Sequence, residues 1–429
     1  MDAGMNKETM YQGQMHKIQR DLMLRWYQEL DAAVDNNAPV VYLMVSGNCV
    51  ELLHACGVLP VYPEINALQL AIRNQSLPAL LKSEELGYSS DNCAYVKADM
   101  GSYAMNQKTT LGTRIPKPSL ILCNYVGCST YIKWFEHIAA LTGAPLYMLD
   151  IPFVRTSEPL PQDVEYVVKQ LNEVIEILEG ITGKKLDPEE LRFRVSLARI
   201  AEELWSEVKA LSKHSPAPYD AYFDATTMMG PLYVYRGQKE CVDFFQAALR
   251  EFGERIQQGT GVGYTEKFRL VVEGPPPYPY FRTFRDLFAN WGACAVASTY
   301  STVGGIWEFG FRHDPDHPLK SIAEHMLSQN LANRNFLQRY GQIKRYVDEW
   351  QADALVIHSV KSCRLFSAGQ GDMREHFTKD LSVPTLFVES DLEDPRYFST
   401  AQMRNRIDAF FEALEHRKFC NTHVAGVAR

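Results

Sequence analysis

The residues of this chain best suited to chemistry are thiols. Nine cysteines are scattered singly along 429 residues, with no Cys-x-x-Cys pair among them. An odd count at wide spacing is unlike the dense, even pattern of a secreted disulfide scaffold. The opening stretch MDAGMNKETMYQGQMHK carries neither the apolar run nor the cleavage site of a secretion signal, and no apolar run approaches the roughly 18 residues that cross a bilayer. A cytoplasmic protein without membrane attachment is therefore expected. In that reducing compartment thiols remain free to bind metal, and thiolate is the soft ligand that sulfide-bridged iron prefers.

Three positions stand out by context. Cys93 sits in the polar segment GYSSDNCAYVKADMG, which reads as a loop. Cys128, with Cys123 five residues before it, follows the apolar run PSLIL, and Cys363 follows ALVIHSV. Cys56, Cys241, Cys294 and Cys420 fall in helical, strand-like or terminal segments and read as small buried hydrophobes. Spacing alone leaves two readings of the loop cysteines open, metal ligands or inert thiols.

Other candidates are weaker. GTGVGY at 259–264 precedes the strand FRLVVEG, whereas a nucleotide loop follows a strand and opens a helix, and GITGKK lacks the spacing of a phosphate cradle. No ATP or dinucleotide site is expected. GPPPYPYF at 274–281 reads first as a packed proline turn and second as an aromatic pocket wall. His358, Lys361 and Ser362 beside Cys363 are able to donate protons, but a histidine at a strand end is more often a satisfied hydrogen-bonding group.

The elements that must position these residues follow from hydrophobic periodicity. A helix over 16–34 leads into the strand VVYLMVSG, then a helix over about 64–82, the strand PSLILC, a helix over 129–142 and the strand LYMLDIP. From about 160 to 260 three segments follow a helical period. Alternation resumes with FRLVVEG, a helix near 280–291, ACAVAST, helices within 317–350, ALVIHSV, PTLFVES and a helix near 399–415. Continuous apolar strands separated by helices predict parallel sheets buried on both faces. The fold class is thus α/β, with two doubly wound, Rossmann-like parallel-sheet domains: an N-terminal helical segment over 1–36, a first α/β domain over 37–158, a helical insert over 159–264 and a second α/β domain over 265–429. Such sheets bind ligands beyond the carboxyl ends of their strands, where Cys128 and Cys363 fall. The length and the 46% hydrophobic content support two cores, and a net charge of −8 offers no basic footprint for nucleic acid.

At these residues the chain resembles the 2-hydroxyacyl-CoA dehydratase and benzoyl-CoA reductase family. The likeness runs through SGNCVELLHACGVLPVYPEI at 46–65, NCAYVKADMG at 92–101, CNYVGCSTYIKWFE followed by LYMLDIP, ALVIHSVKSCRLFS at 354–367 and PTLFVESDLEDPRYFSTAQMRNRIDAFFEAL at 384–414. The resemblance implies a [4Fe–4S] cluster on Cys93, Cys128 and Cys363, with one iron open to water or to a thioester carbonyl. Cys128 is preferred to Cys123 because it directly precedes the helix YIKWFEHIAAL, and Cys49, a departure within a familiar segment, is read as packing. HSVKSC and CNYVGCSTYIKWFE are most similar to the larger, substrate-handling subunit of the family's ATP-dependent reductases. That likeness implies an aromatic acyl-CoA substrate, a sister subunit, and an ATP-hydrolysing iron–sulfur activator fed by reduced ferredoxin. The dehydratases of the family implicate a serine and a glutamate near the first strand, which match Ser46 and Glu64 here. A dehydratase subunit is therefore the alternative, and a non-catalytic electron-relay subunit is a second.

Overall fold

Every described strand pairs in parallel, and the central strands are continuous apolar runs buried on both faces. β1 (Val40–Leu43), β2 (Leu59–Val61), β3 (Leu120–Tyr125) and β4 (Leu146–Asp150) form a sheet in the order β2-β1-β3-β4. β5 (Phe268–Glu273), β6 (Ala293–Ser298), β7 (Ala354–Val360) and β8 (Thr385–Ser390) form a second in the equivalent order β6-β5-β7-β8. All residues of β6 and β7 are buried, as continuous apolar runs predict. The computed structural model describes residues 13–427 except 126, 303, 304, 306, 329–332 and 334. The start of the 1–36 segment, residues 1–12, lies outside the described residues.

Each sheet has a switch point, between β1 and β3 and between β5 and β7, where the connections leave in opposite directions and open a crevice at the carboxyl ends. One apolar core runs from the first sheet through the helices to the second, and a smaller cluster around Val271, Leu355, Ile357 and Trp350 covers the second sheet's other face. The helix Gln14–Asn36 packs on Phe223–Val234 and Lys239–Gln257. Among the described residues no helix is long and apolar enough to cross a membrane.

Four local expectations are corrected. The helix predicted over 64–82 is two, Pro63–Ile72 and Ser76–Glu85. Asn74, at φ +56°, ends the first in a left-handed cap, with Gln75 N–H donating to Leu70 C=O at 2.7 Å and Asn74 N–H to Ala71 C=O at 2.9 Å. The helical segment holds a fourth helix, Phe223–Val234, which is buried nearly all round and so shows no amphipathic period. The loop expected over GYSSDNCAYVKADMG ends at Cys93, and Ala94–Ala104 is a buried helix whose Lys97 is satisfied by Glu84 and the Ser90 carbonyl. Of the four cysteines read as buried, Cys241 and Cys294 are; Cys56 is half-buried and Cys420 is exposed.

Candidate active site at the carboxyl ends of the two sheets

The loops that leave both switch points line one cavity of about 1470 Å³. Cys93, Cys128, Cys363, Ser46 and Glu64 all face it. Cys123 does not: it lies within β3, 0% exposed, in register with Met148.

The three cavity thiols are placed by one repeated device. Cys93, Cys128 and Cys363 are the N-cap residues of the helices Ala94–Ala104, Ser129–Thr142 and Arg364–Ser367. Backbone N–H groups two and three residues on act on each sulfur: Tyr95 and Val96 on Cys93, Thr130 and Tyr131 on Cys128, Leu365 and Phe366 on Cys363. These N–H dipoles at the helix starts favour a thiolate. Gly127, at φ +97°, makes the turn from β3 into Cys128, a backbone conformation that a side chain would strain. The loops of Cys93 and Cys363 are tied across the two sheets, since Ala94 N–H donates to Ser362 Oγ at 3.2 Å and Ser362 N–H to Asp391 at 2.9 Å.

As free thiols these groups stay protonated. Burial dominates and lifts Cys93 well above the ordinary thiol range, Cys363 to about 12 and Cys128 upward as well. A charge on Cys128 would raise both of the others, and a charge on Cys363 would raise Cys93. A bound cation reverses that balance by displacing the protons. Among the described residues no three His, Cys, Asp or Glu side chains are grouped to hold one metal ion. Three thiols lining one cavity are the soft donors that an iron–sulfur cluster would take.

Glu64 faces the thiols from the first turn of the helix Pro63–Ile72. It accepts hydrogen bonds of 2.5 Å from Tyr131 Oη and from Val45 N–H, and burial nonetheless lifts it to about 7. Because Tyr131 also lends its N–H to Cys128, the carboxyl and that sulfur are held by one residue. Asn124 steadies the turn after β1 by donating to the carbonyls of Ser46 at 2.6 Å and Gly47 at 2.9 Å.

On the opposite side the turn after β5 is both of the things its sequence suggested. Gly274, at φ +98°, passes so close to β7 that a Cβ would stand 2.3 Å from the His358 carbonyl oxygen. Pro275, Tyr278 and Phe281 then face the cavity. His358 is fully buried between Pro275 C=O at 2.5 Å and Ser390 Oγ at 2.6 Å, and burial depresses it to about 4, so it is a neutral structural group. Lys361 points away from the cavity and pairs with Glu389 at 2.8 Å.

Sequence reasoning missed Tyr95, Tyr300 and Arg339. Tyr300 follows β6 at its carboxyl end, the position that open sheets reserve for ligands, so a signal existed. Arg339 lies on an amphipathic helix that gives no such signal; it is buried beside the cavity, paired with Glu273, and desolvation lowers it to about 10.

The model of the 2-hydroxyglutaryl-CoA dehydratase D-component family matches residues 46–414. One subunit of benzoyl-CoA reductase from Thauera aromatica is 37% identical over 97% of this chain and 98% of its own length. The (R)-2-hydroxyisocaproyl-CoA dehydratase alpha subunit of Clostridioides difficile is 28% identical over 94% of this chain and 96% of its own. The alpha subunit of (R)-2-hydroxyglutaryl-CoA dehydratase from Acidaminococcus fermentans is 24% identical over 92% and 96%. The matched region contains all three cavity thiols, Ser46 and Glu64, and the chain therefore belongs to the 2-hydroxyglutaryl-CoA dehydratase D-component family of enzyme subunits, which spans a reductase and several dehydratases.

Proposed function

We propose that this chain is the cluster-bearing, substrate-handling subunit of a benzoyl-CoA reductase complex in the cytoplasm. It works with a sister subunit and receives electrons from reduced ferredoxin through an ATP-hydrolysing iron–sulfur activator. The product is a cyclic dienoyl-CoA formed from an aromatic acyl-CoA. The observation that carries this reading is that three N-cap thiols, on loops from both halves of the fold, line one cavity.

Cys93, Cys128 and Cys363 would hold a [4Fe–4S] cluster. When bound, that group supplies low-potential electrons and an open iron that polarises the thioester carbonyl. The chain's own residues do the rest. Backbone N–H groups beside the sulfurs and a largely apolar cavity lining set the electrostatic environment that tunes a cluster's potential. Tyr278, Phe281 and Phe366 offer ring faces that an aromatic acyl group packs against, and they exclude water. Glu64, about half protonated near pH 7, donates a proton to the acyl-CoA as it is reduced, and Tyr131 holds its carboxyl in place. Agreement with the reductase subunit over nearly the whole of both chains, at 37% identity against 28% and 24% for the dehydratase subunits, favours reduction.

The dehydratase reading draws on a separate observation: Ser46 and Glu64, the pair matched to the dehydratases' hydroxyl-handling residues, share the cavity with the thiols. The two readings differ in electron use, since reduction consumes electrons with every product and dehydration recycles one. Anaerobic assay of the complex with benzoyl-CoA and with a 2-hydroxyacyl-CoA, counting reductant and ATP per product, separates them. Two electrons per cyclic diene are expected, and sub-stoichiometric electron use would sink the reductase reading.

A further inference from the structure

Tyr300 and Tyr278 meet across the cavity wall with their hydroxyl oxygens 2.5 Å apart and their rings edge-on at 6.5 Å. Tyr95 stacks 6.4 Å from Tyr278. Burial raises both phenols, Tyr278 well above the ordinary range and Tyr300 up to about 12, with hydrogen bonding to Tyr278 and Tyr95 drawing Tyr300 back down. When Tyr278 donates in the hydrogen bond the two share, the Tyr300 oxygen accepts and its own O–H is left to point elsewhere. The open side of Tyr300 is the cavity, where the residue is 9% exposed. Cys363 and Glu64 both lie within electrostatic reach of it, and Phe366, from the first turn after Cys363, packs 6.3 Å from its ring.

We infer that Tyr300 is a second proton donor to the substrate, with Tyr278 as the positioning residue whose hydroxyl steadies the tyrosinate left behind. The inference rests on the ring-reduction reading. Conversion of the ring to a diene takes two electrons and two protons. The electrons arrive singly from the low-potential iron–sulfur donor protein of the proposed complex, two C–H bonds form, and one ring double bond is lost. Glu64 gives one proton. Tyr300 gives the other: its O–H bond breaks as the C–H bond forms, Tyr278 O–H donates a hydrogen bond to the new phenolate, and water reprotonates it after the product leaves. A reduced ring is a strong base, so a weak acid suffices, and a buried phenol is protonated at neutral pH.

The test is reduction of benzoyl-CoA in D2O by the assembled anaerobic complex, comparing wild type with Tyr300→Phe, Tyr278→Phe and Tyr27→Phe. Tyr27 is a buried phenol away from the cavity, whose hydroxyl has no hydrogen-bond partner among the described residues, and it controls for loss of a buried hydroxyl. Wild type should place each deuteron on one face of the ring. Tyr300→Phe should lose about 100-fold or more in turnover, with KM and the iron content unchanged and one of the two deuterons losing its facial preference. Tyr278→Phe should lose less, without loss of facial preference, and Tyr27→Phe nothing. Wild-type-like turnover and labelling in Tyr300→Phe, or loss of iron in it, overturns the donor assignment while the reductase reading stands. Failure of the wild-type complex to reduce the ring overturns both.

Discussion

Glu64 is where one side chain's environment reaches furthest into function. A carboxyl near 7 acts as an acid only while protonated, so a rate that depends on it is full below pH 7 and falls as pH rises through that value. Glu64→Gln should cost about 100- to 10,000-fold in turnover and remove this descending limb; a variant profile that keeps the limb assigns it to another group. The thiols give a second residue-scale prediction. Without metal, Cys93 and Cys363 are protonated at pH 7 despite lining a cavity, so a thiol-reactive probe should label exposed Cys420 well before either, as mass mapping of cluster-free protein would show. Faster labelling of Cys363 would contradict the environment described. Sequence alone made Cys93, Cys128 and Cys363 eligible through their loop contexts, and family resemblance singled them out. It could not show the shared N–H arrangement behind them, because N-capping by cysteine has no compositional signature.

At the scale of elements, the site depends on how closely the loops approach one another. Gly274 lets the turn after β5 cross the β7 backbone, so Gly274→Ala forces a Cβ against the His358 carbonyl at a positive φ. Urea unfolding should show a loss exceeding about 1 kcal/mol, and an unchanged midpoint would mean that the turn relaxes freely. Strands were legible because buried parallel strands are continuous apolar runs, and the helix Ser129–Thr142 was predicted at its observed bounds. The helices Ala94–Ala104 and Phe223–Val234 were not, since each is buried on nearly all sides and has no polar face to mark a period. The break at Asn74 was readable in principle, as asparagine tolerates the left-handed cap.

Across the whole molecule, the cavity exists only while both sheets are held together, and Glu84 is one of the ties. From the helix Ser76–Glu85 it bonds Arg396, just after β8, at 2.5 Å and buried Lys97 at 3.0 Å; the Arg396 hydrogen bond, with Lys97, holds its carboxyl down at about 2. A carboxyl depressed in the folded state contributes stability above its unfolded value of about 4.3 and loses it as pH falls toward 2. Glu84→Gln should therefore be less stable than wild type at pH 7, with the gap closing between about pH 5 and 2; urea midpoints across that range check it, and a constant gap would refute the tie. The partner network of the proposed complex left no mark in composition or periodicity and came from resemblance alone. The proposed cluster would be held by Cys93, Cys128 and Cys363 on loops from both halves of the fold. Its most direct test is iron and sulfide analysis of protein purified without oxygen, with Cys93, Cys128, Cys363 and Cys123 each replaced by alanine. Full iron in wild type and Cys123→Ala, with iron lost in the other three, is the predicted result; full iron in Cys128→Ala and loss in Cys123→Ala, or no iron in wild type, would contradict it.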